Sequence, residues 1–211
     1  MVTGTKRGFV MSETTKAGRR WRSTEATKQA VLDAASEVFS SIGYTDARIG
    51  DIVERSSVSV GSIYHHFGGK AEIFEALWKR YVERMWQGAR EGTETARHAG
   101  ETDPVELVIA GSRAYLAVLS DPAMAAFSRA VMSSNIPPEF VSRMRQESEK
   151  WIRKNLFVFG SDDGVGAQLR AGVIVALLGE VEALYTQTQD PGTREALVEE
   201  SSQMLRRLLA P

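Results

Sequence analysis

Between Ala47 and Lys70 the chain reads ARIGDIVERSSVSVGSIYHHFGGK, and this stretch limits the possible folds more than any other. Ile49, Ile52 and Val53 make one apolar face of a very short helix. Ser56-Ser57-Val58 have turn chemistry, and Ser59 is placed to cap a second short helix that runs to about His66. Ile63 and Phe67, four residues apart, share the inward face of that second helix. Val60, Gly61, Ser62, Tyr64 and His65 are left facing out. Two helices this short cannot bury much alone, so they need a third helix and a larger body behind them. Small, hydroxyl-bearing and aromatic groups on the free face of a short second helix suit entry into a nucleic-acid major groove. The expected geometry is a helix-turn-helix.

The rest of the chain is helical by the same criteria. Ser23 or Thr24 is expected to cap a first helix over about 25–42, with Val31, Ala35, Val38, Phe39 and Ile42 on its inward stripe and Gly43 ending it. Val38, Phe39, Ile52, Ile63 and Phe67 then form a mini-core. From Lys70 a long helix is expected to about Arg97, with Gly88 and Gly92 weakening its distal half. Asp103-Pro104 and Asp121-Pro122 each place a capping aspartate before a proline at the first helical position, opening helices to about Ser120 and Ser133. Pro137-Pro138 opens another, to about Phe159. The segment from Val165 to about Gln187 is apolar almost all round between Ala171 and Leu178, as for a helix buried on two sides. A last helix follows Asp190-Pro191. The reading is all-α, about nine helices. Residues 1–22 form a basic flexible tail, residues 23–70 a three-helix head, and residues 71–211 a helical bundle.

Charge and composition narrow the functional classes. Residues 1–70 carry ten Lys or Arg against seven Asp or Glu, a net of +3, whereas the remainder carries sixteen against twenty, a net of −4. A basic head on an acidic body directs only the head towards a polyanion. Lys6, Arg7, Lys16, Arg19, Arg20 and Arg22 give the tail phosphate-tracking capacity. Met11 is a second candidate start, which would make residues 1–10 dispensable. With no cysteine, disulfides and thiolate metal sites are excluded, which fits a reducing cytoplasm. No run of eighteen apolar residues exists to span a membrane, and the N-terminus has no apolar signal-peptide core.

At residues 24–78 the sequence resembles the TetR/AcrR family of bacterial transcriptional regulators, through AVLDAASEVFSSIGY and IGDIVERSSVSVGSIYHHFGGKAEIFEAL. The resemblance covers roughly a quarter of the chain. It implies a homodimer that places each second short helix in the major groove of a double-stranded DNA operator, with the bundle serving ligand binding and dimerisation. Carried over by position, Val60, Gly61 and Ser62 approach base edges and phosphate, beside the capping Ser59. Tyr64 and His65 or His66 hold phosphates, and Lys70 grips one from the start of the long helix. Two departures stand out. Ser56-Ser57 occupies the turn where the family usually has Ala-Gly, so Ser57 must adopt the backbone conformation that glycine would relieve. Gly50 stands where the family often has a basic residue, which leaves Arg48 as the groove or phosphate contact. With little reading capacity in Val60 and Gly61, Arg48, Ser62 and DNA shape are expected to carry specificity.

In the bundle, Trp78, Tyr81, Trp86, Tyr115, Phe127, Trp151 and Tyr185 are candidates to line a pocket for an apolar or aromatic small molecule. Glu180 and Glu182 interrupt the most apolar helix, where a charge must be solvated, paired or protonated. Glu180 is expected either as a pocket anchor for a cationic or hydrogen-bonding ligand or as a partner for an arginine such as Arg170 or Arg206 at a dimer interface. Leu177, Leu184, Leu197, Met204, Leu205 and Leu208 are expected to pack against a second copy as a four-helix bundle.

Other chemistries find little support. His65 and His66 project about 100° apart, and with His98 as the only further histidine there are too few ligands for a metal. Gly69-Lys70-Ala71 lacks the preceding glycine, strand and hydroxyl of a phosphate loop, and no Gly-x-Ser-x-Gly elbow occurs. No enzyme, cofactor or metal is expected. The sequence therefore reads as a ligand-responsive repressor, against two alternatives: a DNA-binding regulator or activator without a ligand, and a helical protein-interaction adaptor.

Overall fold

The computed structural model describes residues 13–133, 136–155 and 164–210, which form nine α-helices and no strand. The first, α1, runs over Glu13–Asp46, with a break at Gly43, whose φ of 79° and ψ of 168° leave the helical region. α2 covers Ile49–Ser56 and α3 covers Val60–Phe67. The long α4 is Lys70–His98, followed by α5 at Pro104–Ala117 and one 3-10 turn at Val118–Ser120. α6 is Pro122–Ser133, α7 Pro138–Asn155, α8 Val165–Gln187 and α9 Pro191–Leu209. The all-α reading holds.

The Asp-Pro signals work as expected. Asp103 accepts from the Val105 N–H at 2.7 Å, Asp121 from Ala123 at 2.8 Å and Asp190 from Thr193 at 2.8 Å. Each satisfies a donor that the first turn cannot pair. The start of α1 differs, because the helix passes through Ser23 and Thr24 and begins at Glu13. Neither residue is its cap. The first half of the basic tail lies outside the described residues, as do Leu156 to Phe159, the expected end of α7.

Val38, Phe39, Ile52 and Ile63 are fully buried, as the mini-core requires, but Phe67 is only partly so. Ile42 turns outward, at 46% exposure, because the break at Gly43 ends the inward stripe one turn early. The head has no separate core: Phe39 meets Phe74 edge-on at 5.5 Å, and Phe74 meets Phe127 at 5.9 Å. One apolar cluster thus runs from α1–α3 through α4 into α6 and α8. A second cluster of Ile109, Ile152, Ala171, Ile174 and Leu205 joins α5, α7, α8 and α9.

Gly88 and Gly92 do not serve as weak points. A Cβ on Gly92 would lie 2.3 Å from the Ala114 Cβ and 2.8 Å from the Ala110 carbonyl oxygen, and one on Gly88 would lie 2.5 Å from Val118 Cγ2. On α5, a Cβ on Gly111 would lie 2.5 Å from Thr93 Oγ1. The missing side chains let α4 and α5 pack backbone against backbone, which gives α4 a rigid partner along its distal half.

Candidate functional site

In the head, α2 and α3 meet at Ser57, which sits in the left-handed region at φ 56°, ψ 18°. The serine does take the conformation glycine would relieve. Its N–H donates to the Val53 carbonyl at 3.0 Å, and the Ser56 hydroxyl accepts from Val58 N–H at 3.2 Å, which offsets part of the backbone strain. Ser59 caps α3 by accepting from Ser62 N–H at 3.3 Å.

The outer surface of α3 presents Val60 (48% exposed), Gly61, Tyr64 (52% exposed) and His65, with Ser62 and His66 partly covered. A Cβ on Gly61 would touch nothing within 4 Å, and the same is true of Gly50 on α2. Nothing inside the protein demands glycine at either place. Arg48, at the N-cap of α2, is exposed, and its N–H is held by the Asp51 carboxylate at 2.8 Å. The guanidinium-bearing residue is therefore fixed at its backbone and free to reach outward.

Lys70 is placed otherwise than expected. Its ammonium donates to the carbonyls of Tyr44 at 2.8 Å, Ala47 at 3.0 Å and Thr45 at 3.2 Å, and lies 4.5 Å from the centre of the Tyr44 ring. All three donors of the ammonium are thus engaged with the end of α1 and the loop after it. In this structure Lys70 fastens α4 to the head rather than offering a free charge to a phosphate.

The bundle encloses a cavity of about 590 Å³ whose walls come from α4, α5, α6, α7 and α8. Trp78, Trp86, Tyr115 and Trp151 line it, as expected, and Trp86 and Trp151 stack at 4.8 Å with an interplanar angle of 12°. Three expected aromatics do not line it. Phe127 is buried between Phe74 and Tyr81, Tyr185 faces the Ser120 hydroxyl at 3.3 Å, and the Tyr81 ring fills the core. Helical spacing marks them as inward-facing but cannot separate the core from a cavity wall.

The carboxylate in the wall is Glu182, not Glu180, which is exposed. Glu182 is 6% exposed and accepts from Tyr81 Oη at 2.5 Å, Ser128 Oγ at 2.6 Å and Tyr115 Oη at 2.9 Å. Burial, and after it the negative charge of Glu182, pushes both the Tyr81 and Tyr115 phenols well above the usual tyrosine range. The acids stand two positions apart, so they face different sides of α8, and only their neighbours from other helices tell which is inside. Arg206 pairs with Glu106, at 2.6 and 3.0 Å, rather than with Glu180.

The expected interface residues also divide. Leu205 is fully buried within the chain, so it is not an interface residue; Leu177 packs on both clusters, Leu197 on the first and Leu208 on the second. The apolar stripe on α9 does have an intramolecular use. Leu184 (42%) and Met204 (49%) remain exposed, together with Val165 (84%), Leu169 (67%) and Val173 (41%). Those last three, four residues apart, form an outward stripe on α8 that the spacing alone could have disclosed. α8 is thus buried against both apolar clusters, as expected, and keeps this one outward stripe uncovered.

Residues 31–77 match the model of bacterial regulatory proteins of the tetR family. The chain is 42% identical over 53 residues to the HTH-type transcriptional regulator SrpR of Pseudomonas putida, covering 25% of each protein. It is 38% identical over 65 residues to the HTH-type transcriptional activator FasR of Mycolicibacterium smegmatis, covering 31% of this chain and 30% of that one. The aligned part therefore spans about a quarter to a third of these relatives' length. The fold as a whole is similar to that of a TetR-family regulator from Pectobacterium atrosepticum, with a TM-score of 0.62, 24% identity and coverage of 90% of this chain and 97% of that one.

Proposed function

The chain belongs to the TetR/AcrR family of bacterial transcriptional regulators, and from that premise we propose that it is a ligand-responsive repressor. As a homodimer it binds a palindromic operator and releases it when a small molecule fills the cavity. One observation carries this reading: α4 walls the cavity through Trp78 and Trp86, while its first residue, Lys70, is fastened to the head at three carbonyls. A ligand that displaces α4 moves the end of α1 with it and changes how far apart two heads stand.

Two α3 helices must stand about 34–36 Å apart to read successive major grooves. A ligand preferring another spacing shifts the population, and a coupling of about 1–3 kcal/mol lowers operator affinity roughly 5- to 150-fold. Val60, Gly61, Ser62 and Tyr64 approach the groove, Gly61 and Gly50 permit close approach, and Arg48 with His65 and His66 reaches phosphate or groove edge. Ser59 serves the same helix as its cap. The second copy docks on Val165, Leu169, Val173, Leu184 and Met204, whose exposed apolar stripe calls for cover.

Selection of bound double-stranded DNA from a random pool tests the reading. A palindrome with half-sites one or more helical turns apart is expected; an unpaired site or no enrichment rejects it. Activation in place of repression is favoured by the likeness to FasR, an activator by name. Transcription from a reporter carrying the selected site, with and without the protein, separates the two.

A further inference from the structure

The charge balance around the cavity points to the kind of molecule it takes. Glu182 holds its carboxylate on three hydroxyl donors, and no Lys, Arg or His among the described residues is paired with it. Hydroxyl donors satisfy the oxygens but bring no compensating charge. The three arginines at the cavity wall are already matched: Arg90 to Glu83 at 2.7 Å, Arg145 to Glu149 at 2.8 Å, and Arg97 to Glu94. The three arginine side chains are 43–63% exposed, whereas Glu182 is 6% exposed. The uncompensated charge of the site is therefore a buried negative one.

The walls complement it. Trp78, Trp86 and Trp151 face the same space, and indole faces attract cations as well as flat apolar bodies. Burial of an anion without a counter-charge is costly, and an occupant bearing the opposite charge removes that cost. A neutral occupant leaves it in place, and an anionic one adds to it.

We propose that the cavity takes an organic cation, a protonated or quaternary amine whose charge meets the Glu182 carboxylate and whose apolar or aromatic body lies against the tryptophans. The inference rests on the ligand-responsive reading above and narrows its ligand to one charge class. At about 590 Å³ the space suits a drug-sized molecule.

Three probes with a common body test it: 4-phenylbutyltrimethylammonium, 4-phenylbutanol and 4-phenylbutyrate, titrated into the full chain. Three of the four tryptophans line the cavity, so intrinsic fluorescence reports occupancy, with calorimetry as a second readout. The cation is expected to bind about tenfold or more tightly than the alcohol, and the carboxylate weakest. Glu182→Gln is expected to bring the cation down to the level of the alcohol while leaving the alcohol unchanged. Binding of the alcohol or the carboxylate as tight as that of the cation overturns the charge assignment and leaves ligand response standing. An unchanged cation preference in Glu182→Gln does the same. Absence of binding by all three overturns both. If the variant does not fold, the wild-type ranking still decides.

Discussion

Lys70 is the residue at which two roles compete. An ammonium at a helix start beside the DNA-contacting elements has the chemistry of a phosphate grip, yet its donors are spent on Tyr44, Thr45 and Ala47. Replacing it with methionine keeps the stem and removes three charge-assisted bonds, so Lys70→Met should cost about 1–3 kcal/mol. A thermal melt reads that loss directly, and an unchanged midpoint would show the contacts to be idle. Tyr81 and Tyr115 supply a second test at this scale. Their phenols are held protonated in the fold by burial and by the Glu182 charge, so the folded state binds these protons more tightly than the unfolded state. Stability from this source is complete below the ordinary tyrosine range and drains away as pH rises through and beyond it. An alkaline titration followed at the tyrosinate absorbance band should show two of the five tyrosines ionising only as helical circular dichroism is lost. Ionisation of all five with the helix signal intact would contradict the buried contacts of Tyr81 and Tyr115 with Glu182.

At the scale of the element, α4 and α5 act as one unit because three glycines bring their backbones together. Gly92→Val places branched methyls where 2.3 Å already separates the would-be Cβ from Ala114. The helices must part, which should cost on the order of 1–3 kcal/mol or more, measured by urea unfolding. The same change should distort the cavity, since Ala89, Thr93, Gly111 and Ser112 form its wall at this seam. An exposed-helix valine costs far less, so a small loss would show that the close approach is dispensable. The α2–α3 pair behaves differently. Its caps and turn are local and depend on hydroxyls one to three residues away. The pair hangs on the core through the buried Ile52 and Ile63, with Ile49, Val53, Val58 and Phe67 packed beside them, which makes it an outward-facing tool carried by α1 and α4.

At the scale of the whole molecule, Val165, Leu169, Val173, Leu184 and Met204 form an exposed apolar stripe that calls for cover. The proposed second copy predicts that Leu169→Glu, at a position 67% exposed, yields a monomer by sedimentation at micromolar concentration. Its circular dichroism spectrum should stay helical, because the side chain leaves the core untouched. A dimer that survives the charge would move the interface elsewhere. Among the described residues no helix is long and apolar enough to cross a membrane.

The all-α architecture, the nine segments and the helix-turn-helix are written locally. Caps, prolines and apolar spacing act over four residues or fewer, and Asp103, Asp121, Asp190 and Ser59 perform as their positions require. The resemblance to the family also implied that Ser57 takes the backbone conformation a glycine would relieve, and its φ of 56° agrees. Tertiary structure decided whatever depended on distant partners. Tyr81 lies 101 positions from Glu182 and Lys70 lies 26 from Tyr44, and no periodicity within one helix can reveal those meetings. Hence Glu182 rather than Glu180 became the wall carboxylate, Lys70 a fastening, and Leu205 a core residue. Side-chain type and spacing say which face of a helix turns inward; only the neighbour opposite says whether that face meets core, cavity or an uncovered surface.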